Sequence, residues 1–167
     1  MNRKETTEFL SNLLTSKRLS GMGKYYASEV TLDYGAGKGK EKRVDFMQFI
    51  PKNQSTSGIE KGEFICYEIK SCKADFNSGN GLNFEGEKNY IVTTMETYKK
   101  IIHDIPWNIG VLVACPVCRT ETDEFESPTP IDDNSVDWNL KTIRQAHPQN
   151  RQRSVSQLLF YMLRSGK

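Results

Sequence analysis

The sequence predicts an α/β fold, a mixed sheet covered by helices, in a single domain spanning residues 1–167. Three observations carry this. The chain reads as helix, three strands, loop, strand, helix, strand, helix, an order that only a sheet with helical cover accommodates. The C-terminal segment places Val155, Leu158, Leu159, Met162 and Leu163 at i, i+3, i+4, i+7 and i+8, one apolar stripe of a helix that needs a sheet to cover. Hydrophobic residues make up 37% and charged residues 26% of 167 residues, the balance of a globular chain long enough to bury its own core.

The elements follow in order. Glu5–Lys17 has Leu10, Leu13 and Leu14 at helical core spacing, with Thr6 or Thr7 as caps, and Ser20–Gly23 breaks it. Tyr26–Leu32, Arg43–Ile50 and Phe64–Ser71 are strand-like, rich in β-branched and aromatic residues. The stretches between them, Gly35–Lys42 and Pro51–Gly62, have hairpin-loop composition. A Gly/Asn-rich loop from Asn77 to Gly86 precedes a short strand at Asn89–Thr93, a helix at Glu96–His103 and a buried strand at Gly110–Ala114. An irregular acidic loop covers about 119–137. The basic segment of about 138–167 reads as helical, with Ser154 capping its final helix.

Composition excludes several classes. No apolar run reaches the length of a membrane span, and Met1–Arg18 lacks the apolar core of a signal peptide. Cys66, Cys72, Cys115 and Cys118 are too few and too unevenly spaced for a disulfide scaffold, so reduced thiols in a cytosolic protein are expected. The net charge is only +2, but Glu121–Asp137 carries acids without a base and Trp138–Lys167 carries bases without an acid. Such asymmetry fits either a surface facing a polyanion or two solvated segments of opposite sign.

The residues that point to chemistry are Asp45 on the second strand and Glu68 and Lys70 on the third. Side chains two apart on a strand share a face, so Glu68 and Lys70 project together across about 7 Å of backbone. If the two strands pair as a hairpin, Asp45 lies beside Glu68. Two carboxylates among apolar neighbours are costly unless something positive binds them, and a hard cation such as Mg2+ prefers carboxylate oxygens and water. Lys70 could then orient an attacking water or stabilise charge developing on a phosphate. The plain alternative is the exposed face of an amphipathic hairpin.

Val44-Asp45 followed by Tyr67-Glu68-Ile69-Lys70-Ser71 resembles the PD-(D/E)XK nuclease superfamily. The longer block Glu68-Ile69-Lys70-Ser71-Cys72-Lys73-Ala74-Asp75-Phe76 is similar to the MmcB-like DNA-repair nucleases and their phage relatives. Asn83–Tyr90, Ile105–Gly110 and Gln157–Ser165 extend the likeness along most of the chain. Val44 departs from the proline of the superfamily name. The resemblance implies a restriction-endonuclease-like fold and Mg2+- or Mn2+-dependent hydrolysis of DNA, in repair, recombination or phage DNA processing. It implies that Asp45, Glu68 and the carbonyl of Ile69 hold the metal and that Lys70 positions the water. An acid from the first helix completes the set, Glu8 before Glu5, with Glu29 as a third candidate. It implies DNA as partner, with no membrane, in the cytoplasm of a bacterium or phage-infected cell. The oligomeric state stays open, a homodimer included.

Two other readings stand beside this one, a catalytically silent nuclease-like module that binds DNA or protein and a small zinc-stabilised module built on Cys115 and Cys118. Half a zinc pattern needs converging partners that the spacing does not supply. Gly35–Lys40 lacks the spacing of a phosphate loop, though Lys38, Lys40, Lys42 and Arg43 could form a basic hairpin tip that meets DNA phosphates. Arg144, Arg151 and Arg153 are further candidates for phosphate contacts. Asp75, with Asn83 and Lys88, could border the substrate cleft, or Asp75 could cap the loop after the strand. His103 and His147 have no partner at metal spacing and read as surface residues.

Overall fold

The computed structural model describes residues 2–37, 39, 41–133 and 135–165. Six strands form one mixed sheet in sequence order, β1 Tyr25–Leu32, β2 Lys42–Ile50, β3 Glu63–Lys70, β4 Lys88–Thr94, β5 Gly110–Pro116 and β6 Trp138–Arg144. β1, β2 and β3 form an antiparallel meander, β3–β4 and β4–β5 are parallel, and β6 returns antiparallel to β5. The helices are α1 Arg3–Leu14, α2 Thr56–Glu60, α3 Lys73–Asn77, α4 Met95–Ile101, α5 Glu121–Glu126 and α6 Val155–Ser165. The α/β class and the mixed sheet flanked by helices are as the sequence predicts. Among the described residues no helix is long and apolar enough to cross a membrane.

The leucines of α1 cover one face of the sheet, where Leu10 and Leu14 meet Tyr67, Ile69, Val92 and Leu112. The other face is shared. Leu158 and Met162 of α6 cover β1–β3, while Met95, Tyr98 and Ile101 of α4 cover β4 and β5. β5 is buried at every position, so its sequence is a continuous apolar run rather than an alternation.

Several boundaries differ from expectation, each for a local reason. Asn2, not Thr6 or Thr7, caps α1, because its side chain accepts from Glu5 N while Glu5 reaches back to Asn2 N, a reciprocal capping box. The helix then loosens into a π-helical turn at Thr15–Leu19, which carries Leu19 into the core. Short helices interrupt two predicted loops, α2 capped by Ser55 and α5 capped by Thr120. The segment 138–167 is not helical throughout. Trp138–Arg144 is strand β6, whose Trp138 and Leu140 pack under α1, and only Val155–Ser165 is helix. Ser154 caps that helix as expected, accepting from Gln157 N at 3.2 Å.

Four basic residues of this segment, Lys141, Arg144, Arg151 and Arg153, are engaged within the fold. Arg144 donates to the carbonyls of Ile109 and Pro106, and Lys141 donates to that of Arg119. Arg151 pairs with Glu87, and Arg153 pairs with both Asp33 and Glu85. These ion pairs strap the connection between β6 and α6 across the β1–β2 turn and the start of β4. Arg153→Ala should therefore destabilise the fold by about 2–3 kcal/mol in urea denaturation, since it leaves Glu85 with Lys42 alone among the described residues. An unchanged unfolding midpoint would mean that this ion pair does not hold the fold together.

Candidate functional site

β2 and β3 pair in register from Ile50↔Glu63 to Phe46↔Tyr67, and Asp45 is the next residue beyond that ladder. There the Asp45 side chain takes over from the backbone, accepting from Ile69 N at 2.8 Å through Oδ2. Strand alternation also slips here. Ala27 and Val30 of β1, three apart, face the same cluster, and so do Val44 and Met47 of β2. Glu29 lies at the slip with a φ of 53°, a left-handed conformation that a non-glycine residue adopts at a cost. The distortion opens a cleft of about 590 Å³ at the end of β3, lined by Asp45, Glu68, Ile69 and Lys70 from the sheet and by Arg3, Thr7 and Ser11 from α1.

Glu68 is the unusual group. It is 1% exposed, and neither carboxylate oxygen accepts a hydrogen bond among the described residues. Burial pushes its pKa up to about 10, the charge of Asp45 and a hydrogen bond from the protonated carboxyl to Asp45 add to the rise, and Lys70 and Arg43 oppose it. Lys70 is also buried and donates to the carbonyl of Asn80. Asp75 forms the adjoining wall, its Oδ1 accepting from Arg3 at 2.6 Å and its Oδ2 from the amide and hydroxyl of Ser71 at 3.2 Å.

A loop roofs these groups. Gly79 and Gly81 have φ of 69° and 77°, and they carry Asn80 over Lys70. A Cβ on Gly81 would lie 2.6 Å from Oε2 of Glu68 and would also meet the strain of a positive φ, so glycine favours this approach. On its far side the loop is held by Asn83, which donates to Arg43 O at 2.7 Å, and by the Glu85 ion pairs. Gly81→Ala should therefore lift the roof, and hydrogen exchange at residues 78–83 should rise at least tenfold while the sheet stays protected. Unchanged exchange there would mean that the loop does not depend on the close approach.

The fold has a solved counterpart. A protein of unknown function from Silicibacter pomeroyi superposes with a TM-score of 0.50 at 15% sequence identity, covering 99% of this chain and 84% of that one. Identity this low shows a shared fold alone. No known protein family matches the chain. No curated protein matches it.

The structure brings Asp45, Glu68, Ile69 and Lys70 together, but not Glu8. Arg3, Thr7 and Ser11 recur every fourth residue and present one face of α1 to the cleft, while Glu8 is exposed beside Lys4, next to Arg3 and Thr7 but outside the cleft lining. Glu5 is occupied in the capping box. Glu29, the third candidate, does line the cleft, paired with Arg43 at 2.9 Å. The backbone group of Ile69 seen to bond within the cleft is its amide, to Asp45. Asp75 lines this cleft and also ties the turn after β3, and Asn83 lines the cleft too. Lys88 instead pairs with Glu63 at the opposite end of β3. Lys42 and Arg43 are engaged by Glu85 and Glu29, and Lys38 and Lys40 lie outside the described residues. Cys115 is buried under α4 whereas Cys118 is exposed, and His103 and His147 are exposed. Sequence reasoning missed Arg3 and the Gly79–Gly81 roof. The Gly-Asn-Gly triplet, with its need for left-handed backbone, was the available signal for the roof.

The donor set fits a small hard cation. Among the described residues no three His, Cys, Asp or Glu side chains converge as a metal cage. Mg2+ does not need one, since it is commonly held by one or two carboxylates with water and substrate phosphate completing the shell. The orphaned oxygens of Glu68 beside Asp45 are such a pair.

Proposed function

We propose that the chain is a divalent-cation-dependent nuclease that hydrolyses DNA phosphodiester bonds. The observation that carries the reading is the buried Glu68 carboxyl, which accepts no hydrogen bond among the described residues, with Asp45 and Lys70 in one cleft at the end of β3. Burial and Asp45 disfavour its ionised form until a cation is present, and a carboxyl perturbed in this way inside a cleft is characteristic of functional sites.

In this reading Asp45 and Glu68, with the carbonyl of Ile69, would hold Mg2+ or Mn2+. Either ion, when bound, supplies Lewis-acid polarisation of the phosphoryl oxygen and a lowered pKa for the attacking water. Asp45 is oriented for its role by the Ile69 amide. Lys70 sets its ammonium beside Glu68, where it can orient the nucleophile and offset charge developing on the phosphate. Asp75 holds Arg3 at the mouth of the cleft, a second cation for the substrate backbone. The Gly79–Gly81 roof must shift for the oxygens of Glu68 to be reached, and that shift frees Lys70 from the Asn80 carbonyl.

The test is incubation with labelled single-stranded, duplex and branched DNA and with RNA, in Mg2+, in Mn2+ and in EDTA. Cleavage of DNA that requires the divalent ion supports the reading. Binding without cleavage in any ion favours the silent module, a reading supported by the same closed roof.

A further inference from the structure

A second cavity, of about 650 Å³, lies beside the cleft and shares Arg3 with it. We propose that this cavity is a subsite for one unpaired nucleotide of the DNA strand, next to the phosphate cut in the cleft. The inference rests on the nuclease reading and adds to it the form of substrate.

The cavity opens at the carboxyl ends of the parallel strands β3, β4 and β5, the edge at which open α/β sheets bind ligands. Its floor is apolar, built from Met95, Ala114 and Trp138, each less than a tenth exposed. The volume is ample for a single nucleotide. The hydroxyls in its lining have already committed their protons: Thr6 donates to Asn2 O, Ser71 to Asp75 and Thr97 to Ser71 O. They meet a ligand as acceptors, which complements the amino and imino N–H groups on a base edge. Lys73 stands at the rim, exposed and without an ion pair among the described residues.

The wall between the two cavities is the Arg3–Asp75 pair, and Asp75 also holds Ser71. A strand with one nucleotide in this cavity and its neighbouring phosphate in the cleft would pass over Arg3. The side chain of Arg3 is 67% exposed, so N–H groups beyond the one given to Asp75 are open to that phosphate. Base in a pocket, phosphate on a fixed arginine and scissile bond at the carboxylates form one continuous path. A continuous duplex cannot follow that path without extruding a base.

Trp138 lies in the cavity, and Trp107 is the other tryptophan of the chain, exposed on the surface. In Trp107→Phe protein, therefore, Trp138 is the sole tryptophan, and it borders this cavity from under α1. The probes are a single-stranded 12-mer of mixed sequence and its blunt duplex, titrated in Ca2+ and followed by both Trp138 emission and anisotropy. The expected result is tighter binding of the single strand, with emission and anisotropy sharing one midpoint. Ala74→Phe, an exposed lining position, should weaken single-strand binding at least tenfold, about the loss of one buried base, while duplex affinity changes less than twofold. Lys73→Glu supplies a second variant should the first fold poorly, and it should weaken the single strand at low salt. Anisotropy that reports binding with Trp138 silent and Ala74→Phe neutral would overturn the subsite and leave the nuclease reading standing. Failure of every DNA probe to bind, with no cleavage in Mg2+ or Mn2+, would overturn both.

Discussion

Glu68→Gln should abolish cleavage and, in the same protein without divalent cation, raise stability at neutral pH. The two effects have one source. In the folded chain the Glu68 carboxyl is held at about 10 against an ordinary 4.5, so it stays protonated where the unfolded chain ionises. The folded-state pKa is raised, so the stability contributed by the neutral form is fully present below about pH 4.5 and is lost as pH rises toward 10. At pH 7 the loss amounts to roughly 3–4 kcal/mol. Gln carries no proton to lose, so the variant's melting temperature should stay nearly level from pH 5 to pH 8, while that of the metal-free wild type falls. Mn2+ at pH 8 should then stabilise the wild type and leave Glu68→Gln almost unmoved, because one carboxylate of the pair has gone. Thermal denaturation across pH, with and without Mn2+, reads all three effects. A variant that cuts at the wild-type rate, or that melts lower than the wild type at pH 8 without metal, would remove Glu68 from the site.

Lys70→Ala should lower the single-turnover cleavage rate at least ~100-fold at saturating protein, the usual size of losing one preorganised electrostatic contact. Equilibrium affinity for DNA, measured in Ca2+, should change far less, because a cation beside developing charge contributes more to the transition state than to ground-state binding. The structure adds a signature that a merely structural lysine would not show. Burial and Asp45 drive the Glu68 pKa upward and Lys70 opposes them, so removing Lys70 raises it further. A proton then competes longer for the carboxylate, and the acid limb of the rate profile should move to higher pH as well as down. The same substitution deletes the bond to Asn80, so the roof over Glu68 should exchange faster with solvent. A variant that cuts as fast as wild type would make the strand bearing Glu68 and Lys70 scaffold, and the silent module would become the better reading.

Much of this molecule was legible in its residues. The spacing of Leu10, Leu13 and Leu14 and the stripe from Val155 to Leu163 identified the two helices that cover opposite faces of the sheet. Both patterns are local, because helical periodicity requires nothing of distant residues. Glu68 and Lys70 shared a strand face for the same reason, and Asp45 joined them through the β2–β3 pairing, just beyond the ladder, where its side chain accepts from the Ile69 amide. β6 was not legible. Trp138–Arg144 alternates weakly, and its place beside β5 is set by a pairing across the whole acidic segment.

The sequence by itself determined the α/β class, the order of most elements and the shared face of Glu68 and Lys70, which follow from periods of two and 3.6 residues, whereas Asp45 entered through an assumed strand pairing and the family resemblance. Only the tertiary structure decided which charges are free. Arg151 and Arg153 look like phosphate contacts until Glu87, Asp33 and Glu85 arrive from more than 60 positions away to neutralise them. Glu8 looks like a ligand until the roll of α1 turns Arg3, Thr7 and Ser11 to the cleft instead. The isolation of Glu68 also depends on a roof contributed by Gly81. A charge is set by whatever the fold brings within a few ångströms of it, and separation along the chain carries no record of that distance.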